Sequence, residues 1–102
     1  MFVVDSVEDL WNHIAYVLIC APDEFPHEDF LPDDQQMNLD RAFEQLRQGV
    51  EIAYPEAEFA VKRALLHGIL DRSYKLYLAG EAVPAGHLLN EFQDNIFKSE
   101  LR

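Results

Sequence analysis

The sequence contains a single cysteine and no long apolar run, and its first forty residues contain no lysine and no arginine. The one cysteine, Cys20, excludes an internal disulfide and a cysteine-based metal cluster, and we expect it to be a buried apolar residue. The longest apolar run, Ile14 to Ala21, is far shorter than the ~20 residues that span a bilayer. The first five residues, Met-Phe-Val-Val-Asp, lack the positive region of a signal peptide. We therefore expect a reducing, cytoplasmic location.

The charge of the chain is strongly negative and unevenly distributed. Nineteen acidic and 8 basic residues give a formal net charge of −11 over 102 residues. Ten of the acidic residues precede Arg41, which is the first basic residue in the chain. Such a field repels nucleic-acid phosphates and anionic membranes, so we expect no direct contact with either. A charge imbalance between two parts of one chain instead indicates a basic protein partner.

Apolar residues recur at helical spacing in four stretches, and only Phe2-Val3-Val4 resembles a strand. The predicted helices run from a Ser6 cap to Cys20, from an Asn38 cap to Ala53, from about Glu56 to Ala79, and from Pro84 onward. The third helix is apolar around more than one face, which predicts a central position, and Gly80 is expected to end it in the left-handed conformation. We predict one all-α domain over residues 1–102, a compact bundle of four main helices.

A proline-broken acidic segment, Cys20 to Met37, separates the first two helices, and we expect at most one short helical turn in it, around residues 27–31. Its six carboxylates and two phenylalanines are the candidate partner-binding residues: Asp23, Glu24, Phe25, Glu28, Asp29, Phe30, Asp33 and Asp34. A charge run is usually a solvated face, but a solubilising surface normally mixes charges of both signs. The two phenylalanines either anchor the segment on the helices or are exposed contact residues within a ring of charge.

The sequence contains no catalytic or cofactor-binding signature. Its four histidines lie on different predicted elements, and none belongs to a metalloprotease motif or a phosphate-binding loop. His27, Glu28 and Asp29 would hold a metal only if Asp33 or Asp34 folded back toward them, and the spacing typical of a ligand set is absent. We therefore predict that the protein is not an enzyme and carries no cofactor or metal.

The chain is short, acidic, cysteine-poor and predicted to be all-helical. The segments that give it this character are Pro22-Asp23-Glu24-Phe25, Glu28-Asp29-Phe30, Asp33-Asp34 and the helical tail from Tyr77 to Phe92. In this overall character the chain resembles the immunity proteins of bacterial contact-dependent growth inhibition and other polymorphic toxin systems. The resemblance implies a cytoplasmic protein that binds one cognate toxin domain, often a basic nuclease, and blocks its active site. It covers the whole chain in character only and transfers no site residue by residue.

Two other functions remain open at the level of the sequence. The first is an adaptor or regulatory subunit that docks its acidic segment on a basic partner without inhibiting it. The second is a DNA mimic that occupies a DNA-binding protein. A mimic is expected to spread its carboxylates in a regular array, whereas here they cluster in one segment.

Overall fold

The computed structural model describes residues 3–98, and the secondary structure within that range is entirely helical. Four α-helices follow one another: α1 Val7–Cys20, α2 Leu39–Ala53, α3 Ala60–Leu78 and α4 Ala82–Phe97. Two short 3-10 turns lie at Asp33–Gln35 and Ala57–Phe59. The predicted all-α bundle of four main helices is confirmed. Phe2, in the strand-like fragment at the start of the chain, lies outside the described residues.

The helix ends follow from local hydrogen bonding, largely as the sequence predicts. The Ser6 hydroxyl oxygen accepts the Asp9 backbone N–H at 3.1 Å, and the side-chain oxygen Oδ1 of Asn38 accepts the Arg41 backbone N–H at 2.9 Å. Both side chains satisfy an N–H that the first helical turn leaves without a partner. Gly80 has a φ of 81° and follows the end of α3. The two predicted caps and the predicted left-handed glycine are confirmed.

Three boundaries differ from the prediction. Helix α3 begins at Ala60 rather than near Glu56, because residues 57–59 form a 3-10 turn. Helix α4 begins at Ala82, two residues before Pro84. Pro84 is tolerated inside the first turn because the backbone N–H that proline lacks would have no helical partner there. The short helical turn lies at Asp33–Gln35, where the Pro32 carbonyl accepts the Gln35 N–H at 2.9 Å, rather than at residues 27–31.

The core is built from one face of each helix, and each helix packs on its neighbours in sequence, while α4 also packs on α1. Trp11 meets Phe97 edge to face at 4.8 Å between ring centroids, and Leu18 lies beside Gly86, so α1 and α4 are antiparallel. The largest fully buried side chains come from all four helices: Leu10, Ile14, Phe43, Leu46, Leu66, Ile69, Leu70, Leu89 and Phe92.

Helix α3 is not central, although its wide apolar arc predicts that position. Leu66 and Leu70 are fully buried, but Val61 is 83% exposed and Leu65 is 48% exposed. The main contacts of α3 are with α2 and α4, so one face enters the core and the opposite face meets solvent.

Helices α1 and α2 approach each other closely at Gly49. A Cβ atom added to Gly49 would lie 2.4 Å from Leu10 Cδ1, and Leu10 is fully buried. Side chains in a packed core have little room to move away from an added methyl group. The close approach of α1 and α2 therefore depends on the absence of a side chain at residue 49.

We expect Gly49→Ala to lower the free energy of unfolding by about 1–3 kcal/mol, because overpacking at Leu10 outweighs the gain in helix propensity. Gly68→Ala is the matched control, since no atom lies within 4 Å of the Cβ that it would add. That change should raise stability by about 0.5–1 kcal/mol. Urea unfolding followed by circular dichroism measures both. A stabilised Gly49→Ala variant would contradict the tight contact.

His13 is a buried titratable group between α1 and α2. Its Nε2–H donates to the Ala42 carbonyl oxygen at 2.9 Å, and its Nδ1 has no hydrogen-bond partner within residues 3–98. Burial lowers the pKa of His13 below its ordinary value of 6.5, and the bond to the Ala42 carbonyl opposes this only in part. The unfolded chain therefore takes up a proton at mildly acidic pH that the folded chain does not.

We expect this difference to remove stability as the pH falls below about 6.5, while at higher pH the neutral side chain contributes its full stabilisation. His13→Gln keeps a donor for the Ala42 carbonyl but does not titrate. Between about pH 7.5 and pH 5.5 the wild-type protein should lose more unfolding free energy than His13→Gln. The exposed His87→Gln variant should behave as wild type. Equal pH dependence in wild type and His13→Gln would contradict the expectation.

Candidate protein-binding surface

The acidic loop, residues 21–38, joins the end of α1 to the start of α2 and is held in shape by the side chain of Gln36. The Gln36 Oε1 accepts the Glu28 backbone N–H at 2.8 Å. Its Nε2 donates to the carbonyl oxygens of Glu28, at 2.8 Å, and Leu31, at 2.9 Å. One neutral amide thus binds three backbone groups of the loop, of which the Glu28 carbonyl oxygen also accepts the Leu31 N–H at 3.1 Å.

Two further contacts fasten the loop to the helices. The Phe25 ring packs on Tyr16 of α1 at 5.6 Å between centroids, and Phe25 is partly buried against the core. The Arg41 guanidinium donates to the backbone carbonyl oxygen of Asp34. Phe30 is 72% exposed. The two phenylalanines therefore differ in role: Phe25 is an anchor, and Phe30 is an exposed aromatic side chain that follows Asp29 in the acidic segment.

The carboxylates of the acidic loop are mostly exposed and have no lysine or arginine partner within residues 3–98. Asp23, Glu24, Asp29, Asp33 and Asp34 are exposed, and Glu28 is partly buried. Within residues 3–98 no lysine or arginine forms an ion pair with any of these six side chains. The arginine ion pairs in this range lie elsewhere, as in Arg47 with Asp71 at 2.6 Å. The loop therefore presents its negative charge to the outside.

His27 is a potentially cationic side chain that lies near two of these acids. Its Nδ1 lies 3.5 Å from Asp29 Oδ1, and its Nε2 lies 3.8 Å from Asp33 Oδ1. Asp33 thus does fold back toward His27, as a metal site would require. Even so, no group of three His, Cys, Asp or Glu side chains within residues 3–98 is arranged to hold a metal ion. Ion pairs between such exposed side chains contribute little stability.

A cleft of about 400 Å³ opens between the acidic loop and the two helices that it joins. Its apolar lining is Val3, Tyr16, Pro26, Phe30, Leu31 and Met37, and its polar lining is Glu28, Gln35, Arg41, Glu44 and Gln45. Burial raises the pKa of the Tyr16 phenol, and neighbouring Cys20 and Glu28 raise it further, so the phenol stays protonated at neutral pH. The cleft combines apolar walls with carboxylates from two different elements.

Sequence reasoning missed this cleft and the residue that shapes it. Gln36 carries no charge and follows no apolar period, so no pattern distinguishes it from its neighbour Gln35. Glu44 lies on the polar side of the predicted second helix, where an isolated acid is ordinary. Only the folding of the loop over α1 and α2 brings Glu44 and Glu28 to one cleft.

A second exposed apolar surface lies on α1, where Val7, Trp11 and Ile19 are 42%, 47% and 79% exposed. These residues recur at multiples of four and so share one side of the helix. Within residues 3–98, none of the helices is both long enough and apolar enough to cross a bilayer.

We expect Gln36→Ala to loosen the acidic loop, because the Glu28 N–H and the Leu31 carbonyl lose the Gln36 side chain as partner and the Glu28 carbonyl keeps only the Leu31 N–H. Amide exchange at Glu28, followed by NMR, should become faster while the helical amides keep their protection. Gln35→Ala is the matched control, since Gln35 is exposed and its side chain makes none of these bonds. Unchanged exchange at Glu28 in Gln36→Ala would show that the amide does not hold the loop.

Comparisons with known proteins found no matching family model, no matching curated protein and no matching solved structure. No residue of this chain therefore takes a role from a relative. The functional interpretation of the acidic loop depends on the charges, exposures and contacts described above.

Proposed function

We propose that this protein is an immunity protein that binds the basic surface of a cognate toxin domain, a nuclease, and blocks its active site. The contact is made by residues 23–34 of the acidic loop, and the toxin is met in the cytoplasm. One observation carries the proposal: the six carboxylates of this segment have no lysine or arginine partner within residues 3–98, and the same segment contains the exposed Phe30. The activity requires neither a reaction nor a cofactor.

The unpaired carboxylates act at two distances. At long range they steer a cationic partner and raise the association rate, an effect that weakens as salt shortens the Debye length. In contact they pair with the lysines and arginines by which a nuclease holds phosphates. Nucleic acid and this protein then compete for the same surface of the toxin. The toxin is inhibited because its substrate cannot bind while this protein occupies that surface.

Phe30 supplies an apolar side chain that is fully desolvated when the partner covers it. The charged side chains at the rim of the interface remain solvated. Interface energy is concentrated in such central aromatic residues, whereas exposed charges at the rim mainly set the rate of association. The Gln36 bonds support this role, because a loop that is already ordered loses less conformational entropy when it binds.

The test is surface-binding kinetics, at two salt concentrations, against a toxin domain encoded directly upstream or the partner recovered by low-salt pull-down. Neutralising Glu28, Asp29, Asp33 and Asp34 to Gln or Asn should slow association by at least about tenfold at low salt and flatten its salt dependence. The matched control neutralises four exposed glutamates outside the loop: Glu56, Glu58, Glu81 and Glu91. It changes the net charge equally and should retain most of the association rate.

Phe30→Ala should instead speed dissociation and leave unfolding unchanged, whereas Phe25→Ala should lower stability because it removes the contact with Tyr16. A nuclease assay on the captured toxin separates an inhibitor from an adaptor, which binds without loss of activity. If the loop-neutralised protein binds at wild-type rates at both salt concentrations, the acidic loop is only a solvated face and the proposal is wrong.

A further inference from the structure

We propose that the cleft between the acidic loop and α2 receives an arginine side chain of the basic partner. This inference rests on the proposed function, because it identifies the partner's contact residue by its chemistry. It adds a contact that the acidic segment alone does not specify, since one wall of the cleft belongs to α2. The occupant is argued from the charge, the surface character and the size of the cleft.

The unmatched charge in the cleft is negative. Glu28 reaches it from the loop and Glu44 from α2, and neither carboxylate forms an ion pair within residues 3–98. The one cation in the lining, Arg41, donates to the neutral Asp34 carbonyl oxygen, so with two glutamates and one arginine the formal net charge of the lining is −1. A cationic group that enters the cleft therefore meets two carboxylates without displacing an existing ion pair.

The negative charge of Glu28 acts inside the cleft as well as at its edge. Burial raises the pKa of the Tyr16 phenol, and the neighbouring Glu28 and Cys20 side chains raise it further. A carboxylate that disfavours a phenolate at Tyr16 favours a cation in the same place. Tyr16 itself stays neutral at physiological pH and presents an aromatic ring.

The walls and size of the cleft suit arginine in particular. Tyr16, Leu31 and Met37 are partly buried apolar side chains, against which the methylene stem of a long basic residue can pack. A guanidinium is planar and weakly hydrated, stacks on aromatic rings and donates to two carboxylates at once, whereas an ammonium is a compact, strongly hydrated charge. About 400 Å³ lies within the range of small-ligand sites, so a whole side chain fits.

The first experiment uses the isolated protein and two probes of nearly equal shape, N-acetyl-arginine amide and N-acetyl-citrulline amide, which differ in charge. In an NMR titration at millimolar concentration the arginine probe should shift the resonances of Tyr16, Met37 and Glu44, and the neutral citrulline probe should not. Glu44→Gln should weaken binding of the arginine probe about fivefold to tenfold. Glu91→Gln, the same change on the exposed side of α4, should leave it unaltered.

The second experiment uses the partner and crosses Glu44→Gln with single Arg→Ala and Arg→Lys changes on the partner's basic surface. One arginine should show a coupling of at least about fivefold with Glu44, and lysine at its position should restore only part of the affinity. No coupling at any arginine overturns the inference. Equal shifts with both probes, or none at Tyr16 and Met37, also overturn it, because the cleft would then take an apolar group or nothing.

These outcomes are separable from those of the proposed function. At two salt concentrations, a variant with Asp29, Asp33 and Asp34 neutralised and the cleft residue Glu28 retained tests the contact through residues 23–34, whereas the probes and the Glu44 cycle test the cleft. If the cleft does not bind the arginine probe, the salt-dependent association through the acidic loop is unaffected, and the proposed function still holds. A loop whose neutralisation changes nothing refutes the proposed function even where the cleft binds the arginine probe.

Discussion

The close contact between Leu10 and Gly49 fixes how α1 and α2 lie together, and the candidate surface depends on it. His13 bonds to Ala42 while Leu10 meets Gly49, so the two helices run antiparallel and the end of α1 lies near the start of α2. Residues 21–38 are far longer than this short distance requires. The excess chain folds back over the helices, and the space left beneath it is the cleft.

None of the three contacts that fasten this loop uses a carboxylate side chain. Gln36 bonds to backbone groups, Phe25 packs on an aromatic ring, and Arg41 donates to a carbonyl oxygen. Six like charges in a short segment repel one another, and the usual remedy is to pair them with cations. Here the contacts that hold the loop use backbone groups and an aromatic ring, and the one cation among them, Arg41, binds a carbonyl oxygen. The shape of the loop is therefore maintained without an ion pair from a lysine or arginine within residues 3–98 to any of its six carboxylates.

The parts of the structure that could be predicted from the sequence are those with local causes. Ser6, Asn38 and Gly80 act within one turn of their own position, and the acidic loop is evident from its prolines and charges. Phe25 and Phe30 have similar charged neighbours in sequence, and only the position of Tyr16 distinguishes the anchor from the exposed ring. The exposed face of α3 and the Gln36 bonds could not be predicted for the same reason. Neither the spacing of apolar residues in a helix nor the presence of a glutamine shows which part of the folded chain the side chains will contact.

Because the contacts that fasten the loop do not use its carboxylate side chains, such a protein can change in a particular way over evolutionary time. Substitution of Asp29 or Asp33 alters the outward field but removes no contact that holds the bundle together. Recognition can therefore diverge between descendants through a dozen adjacent codons, while the four helices that carry the loop remain under separate selection for stability.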